Sequence, residues 1–299
     1  MNLGVEIAGV SFKNPVIAAS GTFGFGREFG EYIDLSKLGG ICSKGLTLNK
    51  NLGNKGTRIY ETTAGIMNSI GLQNPGIEYF VDVELPYLLN QDTITIANLG
   101  GHSVEEYALG AEILDKTQVP MIELNISCPN VKEGGMVFGT DPDKASEVIS
   151  KVRKATKKPL IVKLSPNVGS IPLFAKIAED NGADAISLVN TFNAMAIDIK
   201  AKAPIFVNKT AGLSGPAIKP IALRMVYEAA KSVNIPIIGM GGITNYKDAI
   251  EFIMAGASAI EVGTANFIDY NTMIDISSGI ENYMKEEKIS LLSDIRGII

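Results

Sequence analysis

Cysteine and histidine are almost missing from this chain. Of 299 residues two are Cys and one is His. A structural zinc site usually takes four Cys or His ligands, and a 2Fe–2S cluster takes four cysteines, so one copy of the chain assembles neither. A Ser-His-Asp triad would have to use His102. That residue precedes Ser103-Val104-Glu105-Glu106, a capping-box pattern that places it just outside a helix start, in a surface or structural role. Basic clusters are also lacking. The 27 Lys and Arg are scattered among 32 Asp and Glu, for a net charge of −5, so the electrostatic footprint of a nucleic-acid binder is missing. No apolar run approaches the roughly 18 residues of a membrane span. The first residues, Asn2-Leu3-Gly4-Val5-Glu6, have neither the basic start nor the apolar stretch of a signal peptide. The expectation is a soluble cytoplasmic protein.

What is present is apolar surface in short, repeated runs. Hydrophobic residues make up 46% and charged residues 20% of the chain, enough to bury a large core and incompatible with disorder, collagen or coiled coil. Eight β-branched runs read as strands: Val16–Ala19, Gly40–Ser43, Thr95–Asn98, Met121–Asn125, Leu160–Leu164, Ala185–Val189, Pro236–Gly239 and Ala259–Val262. They are nearly continuous apolar stretches, as parallel strands covered on both faces are. Helical patterns follow them, including Asp141–Thr156 with Thr140 as N-cap, Ser170–Asn181 closed by Gly182, and Tyr246–Ala255 capped by Thr244 and ended by Gly256. Eightfold strand–helix alternation predicts an α/β fold, a (β/α)8 TIM barrel, with a doubly wound open sheet as the alternative. Val5–Phe12 reads as a hairpin ahead of the first barrel strand. No linker divides the chain, so 1–299 is expected to be one barrel domain. The intervals after strands two, four and six are longer than a minimal βαβ repeat. The insertions fall on the C-terminal face, where barrel enzymes build their sites.

The strand ends carry the chemistry. Strand seven runs into Gly239-Met240-Gly241-Gly242-Ile243 and strand eight into Gly263-Thr264-Ala265. Both loops have the glycine pattern of a phosphate cradle, although tight strand–helix turns give the same pattern without a ligand. Strand two ends Cys42-Ser43-Lys44-Gly45, strand three at Asn98, strand four in Asn125-Ile126-Ser127-Cys128-Pro129-Asn130, strand five in Lys163-Leu164-Ser165, and strand six in Asn190-Thr191. Asn side chains both donate and accept, which suits a flat heterocycle with alternating C=O and N–H groups. A thiol at Cys128, past a strand end, suits a nucleophile or proton acceptor. Cys42, inside an apolar strand, reads as packing.

Four stretches resemble the class 1 dihydroorotate dehydrogenases: Asn125-Ile126-Ser127-Cys128-Pro129-Asn130, Ser43-Lys44-Gly45-Leu46-Thr47, Asn68-Ser69-Ile70-Gly71-Leu72-Gln73-Asn74-Pro75-Gly76, and Gly239-Met240-Gly241-Gly242-Ile243. The likeness runs from about Val5 to Arg296. Val131-Lys132-Glu133-Gly134-Gly135-Met136-Val137-Phe138-Gly139 is similar to the class 1B, NAD-linked catalytic subunit rather than the fumarate-using class 1A. The resemblance implies a flavoprotein that holds FMN and oxidises (S)-dihydroorotate to orotate in pyrimidine biosynthesis. By matching motif, Cys128 is the base that takes the C5 proton, and Lys44 touches both flavin and substrate. Asn68, Ser69, Ile70, Gly71, Leu72, Asn125, Asn190 and Thr191 surround the substrate. Ser20, Gly45, Asn98, Asn125, Lys163 and Val189 hold the flavin, and Gly215, Gly241, Gly242, Gly263 and Thr264 its phosphate.

The resemblance also implies a partner. No Rossmann glycine fingerprint follows an early strand, and the first barrel strand begins too early for the membrane-associating extension of quinone-linked relatives. Electrons are expected to leave through an iron–sulfur flavoprotein subunit carrying FAD and a 2Fe–2S cluster, and then to reach NAD, with a homodimer of this chain inside a heterotetramer. No metal, nucleic acid or membrane is expected at the site. The rivals are a class 1A-like fumarate-linked enzyme, a flavin barrel acting on another dihydropyrimidine, a Schiff-base aldolase using Lys163, and a non-catalytic phosphate-binding barrel.

Overall fold

The computed structural model describes residues 2–127 and 135–299. Its centre is a closed barrel of eight parallel strands in chain order: β1 (Val16–Ala18), β2 (Gly40–Cys42), β3 (Ile94–Leu99), β4 (Met121–Asn125), β5 (Leu160–Lys163), β6 (Ala185–Leu188), β7 (Ile237–Met240) and β8 (Ala259–Val262). Each of the eight runs expected from sequence supplies one strand, and the (β/α)8 barrel replaces the open sheet. The longer helices are α1 (Val104–Asp115), α2 (Pro142–Ala155), α3 (Ile171–Asp180), α4 (Lys219–Ala230), α5 (Tyr246–Met254) and α6 (Thr272–Glu286). Their apolar faces pack on the outside of the barrel to form the main core, which includes Tyr107, Val148, Phe174, Val226, Phe252 and Ile280.

The caps are local and follow the rules for Ser, Asp and Asn. At α1 the Ser103 hydroxyl accepts from the Glu106 N–H at 3.2 Å, and the Glu106 carboxylate accepts from the His102 N–H at 2.8 Å. His102 is exposed, as expected. Two caps differ from expectation by one residue. Asp141, not Thr140, caps α2, accepting from the N–H groups of Asp143 and Lys144. Asn245, not Thr244, caps α5, accepting from Lys247 and Asp248. In each case a carboxylate or amide next to the expected hydroxyl reaches two N–H groups at once.

Side chains alternate across a strand, so every second residue faces the barrel axis. One inward layer is Ile17, Cys42, Ile96, Met121, Ile161, Ala185, Ile238 and Ala259, one residue from each strand. The antiparallel hairpin Val5–Ile7/Val10–Phe12 adds Ile7 and Phe12 to the same apolar cluster. Two residues further on, the same faces carry Ala19, Lys44, Asn98, Glu123, Lys163, Ser187, Met240 and Glu261. The period therefore converts an oily layer into a charged and polar one within a single step.

The long intervals also do what their length predicts. After β2 come Ile59–Thr62 and Gly65–Asn68; after β6 come Phe192–Met195 and Thr210–Ser214. Together they form a four-stranded antiparallel sheet. This sheet was not legible in the sequence, because its strands are short and its two halves meet only where Gly65–Asn68 pairs with Thr210–Ser214, Asn68 and Gly212 being 144 residues apart. After β4 the described part is the helix Gly135–Thr140.

Candidate functional site

A single cavity gathers the ends of the barrel strands and the insertion sheet. Its walls include Ser20, Lys44, Gly45, Asn68, Ile70, Gly71, Leu72, Asn125, Lys163, Val189, Asn190, Thr191, Gly215, Gly241, Gly242, Gly263 and Thr264. These are most of the residues that the sequence singles out, brought together from seven of the strand ends and from the insertions after β2 and β6. Two expected residues do not line it. Asn98 is fully buried one layer back, where its Nδ2 donates to Glu123 Oε1 and its Oδ1 accepts from Asn125 Nδ2 at 3.3 Å. It supports a wall residue. Ser69 is also buried, with its Oγ accepting from Asn54 Nδ2 at 3.1 Å and its N–H bonded to Arg58 O. Alternation turns it away from the cavity while Asn68 and Ile70 face in. Cys128, the expected base, lies outside the described residues.

The amide wall is held by its own hydrogen bonds. Asn125 Oδ1 accepts from the N–H and hydroxyl of Ser127 at 3.3 and 3.2 Å, and Tyr107 donates to the Asn125 carbonyl at 2.8 Å. Asn190 Nδ2 donates to Ser127 Oγ at 2.7 Å. Asn68 Nδ2 donates to the Gly212 carbonyl at 3.3 Å, and Asn167 Nδ2 to the Thr191 carbonyl at 3.1 Å. Three inward amides are therefore oriented from different strand ends, so their donor–acceptor pattern is fixed before any ligand arrives.

The opposite end is a glycine cradle. Gly215, Gly241 and Gly242 have φ of 98°, 123° and 75°, conformations that glycine adopts freely. A Cβ on Gly242 would stand 2.9 Å from the Gly215 carbonyl and from the Lys219 N–H, and one on Gly215 would stand 2.8 Å from Gly65. Beside them a Cβ added to Gly263 would make ordinary contacts with Ala19 and Thr22, the nearest at 3.7 Å. Thr264 Oγ1 donates to Ser214 Oγ at 2.8 Å. The loop is fixed from behind by Asp248, whose carboxylate accepts from the N–H and hydroxyl of Thr244 at 2.9 and 2.7 Å and from Lys219 Nζ at 2.7 Å.

Charge sits under the cavity. Glu123 accepts from Cys42 Sγ at 3.2 Å, Ser187 Oγ at 2.7 Å, Lys163 Nζ at 3.3 Å and Asn98. Burial opposes its ionisation, but Lys163 and these donors outweigh burial and hold its carboxyl below the usual range. Lys163 also lies 3.6 Å from Glu261. Burial works against its charge, and the two carboxylates outweigh it and raise its pKa. Lys44, half-buried on the wall, is shifted down, chiefly by burial. Cys42 is fully buried, and burial pushes its thiol well up; it packs, as its strand position predicts. Neither Glu123 nor Glu261 is among the residues expected from sequence. The signal that finds them is the alternation itself, two residues on from Met121 and from Ala259.

No helix among the described residues is long and apolar enough to cross a membrane. The family model for dihydroorotate dehydrogenase matches residues 2–284. The chain is 63% identical over 295 residues to the "Dihydroorotate dehydrogenase B (NAD(+)), catalytic subunit" of Petrotoga mobilis, covering 99% of this chain and 98% of that one. Proteins of the same name from Thermoanaerobacter pseudethanolicus and Caldicellulosiruptor bescii are 56% and 57% identical over 297 and 299 residues, covering 99% and 100% of this chain and 98% and 99% of theirs. Such likeness along almost the whole length, in both directions, settles the assignment: the chain belongs to the dihydroorotate dehydrogenase family.

Proposed function

We propose that the chain is the catalytic subunit of an NAD-linked dihydroorotate dehydrogenase, oxidising (S)-dihydroorotate to orotate with FMN seated in the cavity. The observation that carries the reading is the joining, in one cavity, of an oriented amide wall to a glycine cradle. The residues fit the cofactor. Gly215 and Gly242 bring backbone together where a Cβ would collide, and with Gly241 and Gly263 they line the cavity without side chains, as close backbone approach to a phosphate requires. When bound, FMN supplies a ring that accepts the C6 hydride of the substrate.

The chain's own groups do the rest. Ser20, Gly45, Asn125, Lys163 and Val189, which line the cavity, would hold the ring, and Asn98 would act through Asn125. Lys163 puts a positive charge where negative charge develops on reduction. Lys44 offers a cation to the substrate carboxylate and to the ring. Asn68, Asn125, Asn190 and Thr191 fix the pyrimidine edge, and Ile70, Gly71 and Leu72 close around it, with Ser69 behind them. Cys128 removes the C5 proton; Ser127, tied to Asn125 and Asn190, anchors the segment just before it. Electrons from the substrate would leave through a partner subunit carrying FAD and a 2Fe–2S cluster, and would then reach NAD. The words "catalytic subunit" in the relatives' names support such a partner. An arrangement of two copies of this chain with two partners belongs to the same proposal, as does a cytoplasmic setting.

The test is Cys128→Ala. It retains FMN and slows flavin reduction by dihydroorotate roughly 10²–10⁴-fold in anaerobic stopped flow, the range of a lost general base. Cys128→Ser is nearly as slow at neutral pH, because a hydroxyl rarely supplies its anion. Reduction at close to the normal rate in the alanine variant removes Cys128 from the chemistry.

A further inference from the structure

Glu261 is the one cavity-lining residue whose charge the reading above does not use. Its side chain is 1% exposed, and neither carboxylate oxygen has a hydrogen-bond donor among the described residues. Glu123, which faces it from β4, accepts from four donors, three on Oε1 and one on Oε2. The acidic atoms of Cys42, Glu123 and Glu261 all lie within 4.8 Å of one another, and among the described residues Lys163 from β5 is the one cation in contact with the two carboxylates. The layer's remaining inward residues are Ala19 on β1, Lys44 on β2, Asn98 on β3, Ser187 on β6 and Met240 on β7; of these only Lys44 titrates, and it forms no ion pair with either carboxylate among the described residues. Lys163 already occupies the cation's place in this cluster, which leaves no reason to invoke a metal.

Two buried carboxylates this close cannot both ionise against one lysine, and the one without donors keeps the proton. We propose that Glu261 and Glu123 hold one proton between them, so that the bound flavin meets Lys163 balanced by a single carboxylate; Glu261 is thereby a positioning residue for the field at the ring. This rests on the flavin reading of the cavity. Burial, and then the charge of Glu123, push the Glu261 carboxyl well up, in agreement with that sharing. An ionised Glu261 would place a second negative charge beside a ring that becomes negative on reduction. The shared proton removes that penalty at neutral pH and restores it when the pair loses its proton in alkali.

The experiment has two arms that fail separately. In the flavin-free chain, infrared difference spectra between neutral and alkaline solution show a protonated-carboxyl C=O stretch that Glu261→Gln abolishes. In the flavin-loaded chain, Glu261→Gln leaves the midpoint potential in place at neutral pH, because the amide replaces an uncharged acid. In alkali the wild-type potential falls more steeply with pH than the variant's, which shows only the fall that proton uptake by the ring itself gives both. Absence of the wild-type carboxyl band, or its survival in Glu261→Gln, overturns the shared proton. So does a potential that rises in the variant at neutral pH, since that rise reports removal of a charge. A chain that takes up no flavin refutes the cofactor reading, while the infrared arm still decides the proton.

Discussion

Lys163 shows how one side chain can be both structural and chemical. Among the described residues it is the only cation against Glu123 and Glu261, all three being buried inside the barrel. Removing one partner of a buried pair leaves an uncompensated charge, at a cost of about 3–5 kcal/mol. Lys163→Ala therefore lowers the melting temperature of the flavin-free chain. It also weakens FMN retention and lowers the potential of what flavin remains, because the reduced ring loses its adjacent cation. Thermal melts, flavin content per chain and a redox titration check these together; unchanged flavin content and potential would place Lys163 away from the ring. Lys44 differs in environment. Half-buried on the wall and shifted down by burial, it loses its proton at lower pH than a free lysine.

Among the elements, the loop after β7 depends on α4 and α5. Asp248, in the first turn of α5, holds Thr244 twice and Lys219 once, and Lys219 in turn packs behind Gly242. Burial pushes the Asp248 carboxyl up, but the hydrogen bonds from Lys219 and Thr244 outweigh it and the net shift is downward. A depressed carboxylate stabilises the fold above its unfolded value of about 3.9, and that contribution is lost as pH falls through the folded value. Asp248→Asn is expected to cost about 2 kcal/mol near neutrality, and the gap to wild type narrows in acid below about pH 4. Urea unfolding at two pH values measures this; a gap that stays constant would mean that Asp248 acts by packing alone. The elements also show which parts of the molecule were legible. All eight barrel strands were, because each is a short, nearly continuous apolar run buried on both faces and set off by the helical patterns around it. The caps at Asp141 and Asn245 were missed by one residue, since hydroxyl and carboxylate neighbours compete for the same N–H groups. The insertion sheet was not legible, because Asn68 meets Gly212 only through the tertiary fold. Most of the expected cavity residues were found at strand ends, where sequence alone places them on one face of a barrel. Asn98 and Ser69 fell back by one layer or one alternation, and Glu123 and Glu261 were passed over as strand interior.

At the scale of the whole molecule, the barrel's apolar layer, its charged layer and its open mouth are stacked along one axis. Electrons entering at the mouth have no protein-borne carrier to leave by. Cys42 is buried in the apolar layer, and two cysteines are too few for a cluster. The isolated chain is therefore expected to pass electrons from dihydroorotate to small artificial dyes while reducing NAD poorly or not at all, and adding the partner subunit restores NAD reduction. Efficient NAD reduction by the chain alone would contradict a need for the partner, and efficient fumarate reduction would move the acceptor assignment to the class 1A type.

The central claim is that this cavity holds FMN and delivers dihydroorotate's electrons to it. The purified chain is predicted to be yellow, with a flavin absorption spectrum, and to bleach when dihydroorotate is added without oxygen, while dihydrouracil, which lacks the carboxylate, leaves the colour in place. A colourless chain that binds no added FMN, or a yellow one that dihydroorotate does not bleach, would contradict the account.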